Sequence, residues 1–213
     1  MGNFMNCRPI LFSDSMVRAL LEGRKTQTRR IVKNPDDGVS TCIAKNDAWP
    51  LLIKSKQGRW IDRPCPYGKS GDLLWVRESF WQHRDEKEII RGADCVVTHR
   101  FASFCGWKKK PSIHMPRAAS RITLELTDVS VEHLHDITPQ DVLKEGVTSP
   151  EAGFARLGEG TQMMQFASLW EEINGTGAWD KNPFVWVLKF NVHPINIDSY
   201  LEKLTTETRE LRS

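Results

Sequence analysis

The chain has 213 residues, 39% of them hydrophobic and 27% charged, with a formal net charge of +3. That is enough to bury a sizeable core, and the balance excludes wholesale disorder. No apolar run approaches the roughly 18 residues of a membrane span, so no membrane partner is expected. The first eleven residues lack a basic-then-apolar leader. Five scattered cysteines without a C-x-x-C pair point to a reducing cytoplasm rather than a disulfide framework.

In chain order, Arg8–Phe12 reads as a short strand, and Ser13 as the N-cap of a helix over Asp14–Glu22 that Gly23 terminates. Met16, Val17, Leu20 and Leu21 share one face of that helix. Gln27–Lys33 is extended. Residues 34–70 are rich in turn signals but carry Trp49 and Trp60, which predicts a folded insertion. Leu73–Phe80 is a strong strand, 82–99 is weakly patterned, and Arg121–Val131 alternates as a half-buried strand does. Thr138-Pro139 opens a short helix that stops at Gly146. A further helix over Thr161–Ile173 is expected to bury Met163, Phe166, Trp170 and Ile173. Phe184–Phe190 is apolar enough for a strand covered on both faces. The tail, 194–213, reads as helical from Tyr200 to Leu211. Strands interrupted by short helices without a βαβ rhythm predict an α+β fold with a mixed or antiparallel sheet, a small barrel among the options.

The charge is unevenly spread. Residues 18–33 hold six Lys/Arg against one Glu, and 100–121 hold six against no acid, while the remainder is net acidic. If the two basic segments share a face, they suit a phosphate-bearing partner; if not, they are solvated loops. Gly23–Arg30 carries four cations just after a helix C-terminus, where a cap needs one. Its threonine hydroxyls add hydrogen-bonding capacity suited to a phosphate or base edge. The six histidines include no H-E-x-x-H; His133 and His135 share a strand face but lack a third ligand, so no metal is expected. No G-x-S-x-G, G-x-G-x-x-G or P-loop is present. Trp75, Trp170 and Trp186 fall on apolar faces, whereas Trp107, beside Lys108–Lys110, is placed to stack on a base.

Gly23-x-Lys25-x-x-Thr28-x-Arg30 resembles the G-x-K-x-x-[E/T]-x-R signature of the ASCH domain, a PUA-like family. The helix and strand before it, Gly71-Asp72-x-Leu74-x-Val76-Arg77-Glu78, and FVWVLKF at 184–190 support the likeness. The stretches at 115–138 and 169–188 look like a phage- and prophage-encoded branch. The resemblance covers most of the chain apart from 34–65, 82–113 and the tail. It implies an α+β fold: a small mixed PUA-like β-barrel with flanking helices over about 7–193, enlarged by insertions at 34–65 and 82–113.

The family's small N4-acetylcytidine amidohydrolase uses a Lys, a Thr three residues on, and a Glu on a later helix. By position these are Lys25, Thr28 and Glu145, with Arg30 as the signature arginine. Lys25 would act as base when neutral, which neighbouring cations favour and the helix C-terminus opposes. Glu145, at the last turn of its helix, opposes the dipole as a general acid would. Arg24, Arg29, Arg30, Arg77, Glu78, Trp107 and Arg117 are the expected substrate-binding set, with Glu78 either partnering Arg77 or serving as a second acid. The implied partner is a nucleoside or RNA, with no cofactor. The alternatives are a non-catalytic nucleic-acid-binding module, a ribonuclease using the same cleft and, weakest, a structural phage component.

Overall fold

A computed structural model describes residues 5–33, 39–44, 51–55, 60–84, 89–94, 106–147 and 159–210. The expected turns at 34–38 and Trp49 lie outside the described residues. The fold is mixed α+β. Its main sheet has the order β1 (Cys7–Leu11), β6 (Leu73–Arg77), β10 (Thr123–His133), β11 (Phe184–His193), β2 (Gln27–Ile31), and two three-stranded sheets have the orders β3 (Val39–Ala44), β4 (Leu51–Ser55), β5 (Trp60–Arg63) and β8 (Ile89–Arg91), β7 (Phe80–His83), β9 (Trp107–Lys110). The sheets do not close into a barrel among the described residues. The chain divides into two compact units, one from 1–23, 71–125 and 191–213, the other from 24–70 and 126–190. No helix among the described residues is long and apolar enough to cross a membrane.

In the first unit, β1 (Cys7–Leu11) runs parallel to β6 (Leu73–Arg77), pairing Cys7 with Leu73 and Leu11 with Arg77. The start of β10 (Thr123–His133) pairs antiparallel with β6 through Thr123 and Trp75. Leu73–Val76 are all buried, as a strand covered on both faces requires. Helix α1 (Asp14–Leu21) begins at Ser13, whose hydroxyl accepts the Met16 N–H, and Gly23 ends it with φ +71°. Its buried face is Val17, Ala19 and Leu20, while Leu21 is exposed rather than packed. The strand expected to run through Phe80 stops at Arg77. The Glu78 N–H goes to Met115 Sδ instead of a neighbouring strand, and the chain resumes as β7 (Phe80–His83). β7 is flanked by β8 (Ile89–Arg91) and β9 (Trp107–Lys110). The tail forms α4 (Ile197–Glu210), docked through Ile197, Tyr200, Leu201 and Leu204 onto Leu73 and Trp75.

In the second unit, β2 (Gln27–Ile31) pairs antiparallel with β11 (Phe184–His193), Thr28 facing Leu188 and Arg30 facing Trp186. Val185–Leu188 are all buried. Helix α2 (Pro139–Lys144) carries a reciprocal Thr138–Asp141 capping box and proline in its first turn. Val142 of α2 packs with Leu134, Val185, Val187 and with Phe166 and Trp170 of α3 (Glu159–Asn174). Ile173 is 48% exposed, contrary to the sequence pattern, because the last turn of α3 overruns this cluster. Within 34–70, the described residues form antiparallel β3 (Val39–Ala44), β4 (Leu51–Ser55) and β5 (Trp60–Arg63), with Trp60 46% exposed.

Candidate functional site

Gly23 releases the chain from α1, and the next three residues enter β2 beside the end of α2. Thr26 is the clamp: its N–H bonds to Lys144 O (2.9 Å), and its carbonyl accepts the Phe190 N–H (3.0 Å). Lys25 and Glu145 consequently form an antiparallel bridge across 120 residues of sequence. The Lys25 side chain is fully buried, and its Nζ donates to Glu145 O (2.7 Å) and to Glu145 Oε2 (2.8 Å). Glu145 is the C-cap of α2, where its N–H bonds back to Asp141 O and Leu143 O. A carboxylate at a helix C-terminus is disfavoured by the dipole and is retained here against two cations.

The second cation is Arg29. Its Nη1 donates to Glu145 Oε1 (3.1 Å), its Nε to Glu132 Oε1 (2.8 Å), and its Nη2 lies 2.6 Å from Glu132 Oε1 and 3.5 Å from Asp141 Oδ2. Beside it, Gln27 is buried and donates from Nε2 to Asp141 O (3.1 Å). Among the described residues, buried Gln27 Oε1 has no hydrogen-bond partner, and the contact of Nε2 with a carbonyl fixes which end of the amide is the nitrogen. Strand alternation sends Gln27 and Arg29 to one face of β2, against α2, and Thr28 and Arg30 to the other. Thr28 is buried and Arg30 half-buried. Arg24 is exposed and caps the chain after α2 through Gly146 O (2.9 Å).

Burial pushes the Lys25 amine below its ordinary value of 10.5; Glu145 opposes this, and the charges of Arg30 and Arg29 assist it. Arg30 is likewise lowered by burial, with Tyr67 and Glu145 pulling the other way, and burial raises the Tyr67 phenol. Burial also works against the Asp141 carboxylate. Hydrogen bonds from Thr138 and Gln27 and the Arg29 charge outweigh it and hold the group below the usual range.

Of the expected site residues, Lys25, Arg29 and Glu145 meet directly, with Arg30 within electrostatic reach. Arg77, Glu78, Trp107 and Arg117 belong to the first unit, and each has an internal contact. Arg77 donates to Met115 O (3.1 Å) and Ile113 O and lies 5.2 Å over the Trp75 ring. Glu78 does not pair with Arg77: its carboxylate takes both arms of Arg121 (2.9 and 3.1 Å), which also binds Asp94. Arg117 holds Asp198 of α4 at 2.6 Å, and Trp107 packs edge-on against His83 with centroids 5.1 Å apart. His133 and His135 contact Asn182 O and Trp179 O respectively. Among the described residues no group of three or more His, Cys, Asp or Glu is arranged to hold a metal ion.

Glu132, Asp141, Gln27 and Tyr67 were not singled out from the sequence. Asp141 is visible there only as the third residue of a capping box, and Glu132 only as a polar position near the end of a strand.

No protein-family model matches the chain, and no curated protein matches it. Among solved structures it is similar to protein EF3133 from Enterococcus faecalis V583, described under the family model DUF984. The TM-score is 0.41 and the identity 9%, over 92% of this chain and 86% of that one. A likeness at that level carries no argument about function.

Proposed function

We propose that this is a PUA-like, ASCH-type cytoplasmic protein that takes a nucleoside or RNA at the Lys25–Glu145 site and hydrolyses the N4-acyl amide of N4-acetylcytidine-type substrates. The observation that carries the reading is the fully buried Lys25 amine held at 2.8 Å from the Glu145 carboxylate. A buried amine with a lowered proton affinity is a base in waiting. Thr28, three residues along, supplies the hydroxyl that attacks the acyl carbon; because strand alternation puts it on the other face of β2 from Arg29, its proton reaches Lys25 through a water that enters with the substrate. Arg30, on the same face of β2, offers donors to the developing oxyanion. Collapse expels the cytidine amine, which takes its proton from the Lys25–Glu145 pair. Water then cleaves the acyl-threonine, releasing the acid and restoring the hydroxyl. Lys25 and Glu145 are closed to solvent, so substrate reaches them by displacing exposed neighbours such as Arg24 and Thr26.

The test is release of cytidine and acetate from N4-acetylcytidine. Because Lys25 must be neutral to accept the proton, kcat/KM should rise with pH through its lowered value, below 10.5. A protein that leaves the substrate intact at every pH, while a control amidohydrolase turns it over, is not this enzyme.

The complete burial of Lys25 favours a second reading, in which the ion pairs only clamp β2 to α2 and the protein binds nucleic acid without chemistry. In that case RNA affinity should fall with salt by several units of log–log slope. A flat salt response removes this reading.

A further inference from the structure

Arg29 was expected to bind substrate, but its surroundings assign it other work. It sits on the face of β2 opposite Thr28 and Arg30, is nearly fully buried, and spends its fork on carboxylates from two elements. Glu132 near the end of β10 takes Nε and Nη2, and Glu145 at the end of α2 takes Nη1. The two carboxylate oxygens of Glu145 are therefore divided, Oε1 to Arg29 and Oε2 to Lys25. An arginine can make such a division because its donors are fixed in one plane; a lysine ammonium cannot span both acids in the same geometry.

We infer that Arg29 is a positioning residue for the Lys25–Glu145 pair: anchored by Glu132, it holds Glu145 by one oxygen and thereby presents the other to the Lys25 amine. The inference rests on reading that pair as the reactive one. Two consequences follow from electrostatics. First, the carboxylate stays compensated when Lys25 gives up its proton, so the neutral amine is not left beside an unpaired buried charge. Second, with its charge shared, Glu145 holds the Lys25 proton less firmly. Among the described residues, the charged groups bearing on Lys25 include Glu145 from α2 and Arg29 and Arg30 from β2, and removing Arg29 takes away a cation that favours the neutral amine.

The experiment follows Lys25 itself, by NMR titration of the full-length protein labelled at lysine Cε and Nζ, with Lys25→Met assigning the resonance. Arg29→Met should move the Lys25 titration upward by about one pH unit. The rising limb of kcat/KM should move the same way while KM changes little. Arg29→Met strips a cation from among three acids and is at risk of not folding. The charge-balanced pair Arg29→Met with Glu132→Gln therefore carries the same expectation. Arg29→Lys should restore the wild-type value only in part. If Lys25 titrates unchanged in a folded variant lacking Arg29, the residue is merely structural and the inference fails. The titration needs no substrate: failure of N4-acetylcytidine hydrolysis with a shifted Lys25 overturns the enzymatic reading and leaves the positioning intact.

Discussion

Glu145→Ala should be the most destabilising single substitution in this site, with a loss of about 3–5 kcal/mol. The main-chain carbonyl of residue 145 survives, so Lys25 keeps one acceptor at 2.7 Å, and Arg29 keeps Glu132. What disappears is the carboxylate that compensates a fully buried ammonium. Such an ion does not stay charged at any cost; it loses its proton, and the penalty then becomes that of deprotonating lysine.

This makes the loss depend on pH in a defined direction. Lys25 already titrates below its unfolded value near 10.5 in the wild type, and losing Glu145, which raises it, lowers it further; between folded and unfolded values the unfolded chain binds the extra proton, so the variant's stability rises with pH over the wider window. Denaturant midpoints of wild type and Glu145→Ala should therefore converge as pH rises from neutrality toward 10.5. A variant within about 1 kcal/mol of wild type at pH 6 would mean that the pair is not the energetic centre of the second unit.

Lys25→Met separates chemistry from folding. Methionine fills much of the same volume without a charge, and Glu145 remains held by Arg29 at 3.1 Å, so the variant should lose clearly less stability than Glu145→Ala. Under the proposed mechanism its activity should fall by about a thousandfold or more, because the base assigned to the Thr28 proton would be gone while the binding groups remain. The loss should appear in kcat rather than KM. The check is single-turnover hydrolysis of N4-acetylcytidine beside circular dichroism and a thermal melt. Turnover near the wild-type rate in a folded Lys25→Met protein would remove Lys25 from the mechanism.

Much of the local structure is legible in the sequence because its causes are local. Ser13 caps α1, Thr138-Pro139 opens α2, and Gly23 ends α1 with a positive φ, each through contacts within a few residues. Val185–Leu188 and Phe190 of the apolar run 184–190 are buried, as its composition demands, while Lys189 is exposed. Misreadings fall where a helix outlasts the core beneath it, as at Ile173, or where a main-chain donor leaves the ladder, as at Glu78. Neither event has a signature within a local window.

Charge partners are another matter. The dense cations of residues 24–30 are visible in the sequence, and Lys25, Thr28 and Glu145 are singled out by a family resemblance. Nothing within the segment shows that Arg29 turns away from Thr28 toward Glu132 and Glu145, 103 and 116 residues distant. The same holds for Arg77, Glu78 and Arg117, basic or acidic by composition but bound to Met115 O, Arg121 and Asp198. The sequence by itself determined which segments become helix or strand and where the cations concentrate, because propensity, capping and patterning act over a few residues. Only the tertiary structure decided which cation meets which acid. That depends on the register of β2 against β11 and on where α2 ends, and a shift of one residue would exchange the faces on which Arg29 and Thr28 lie.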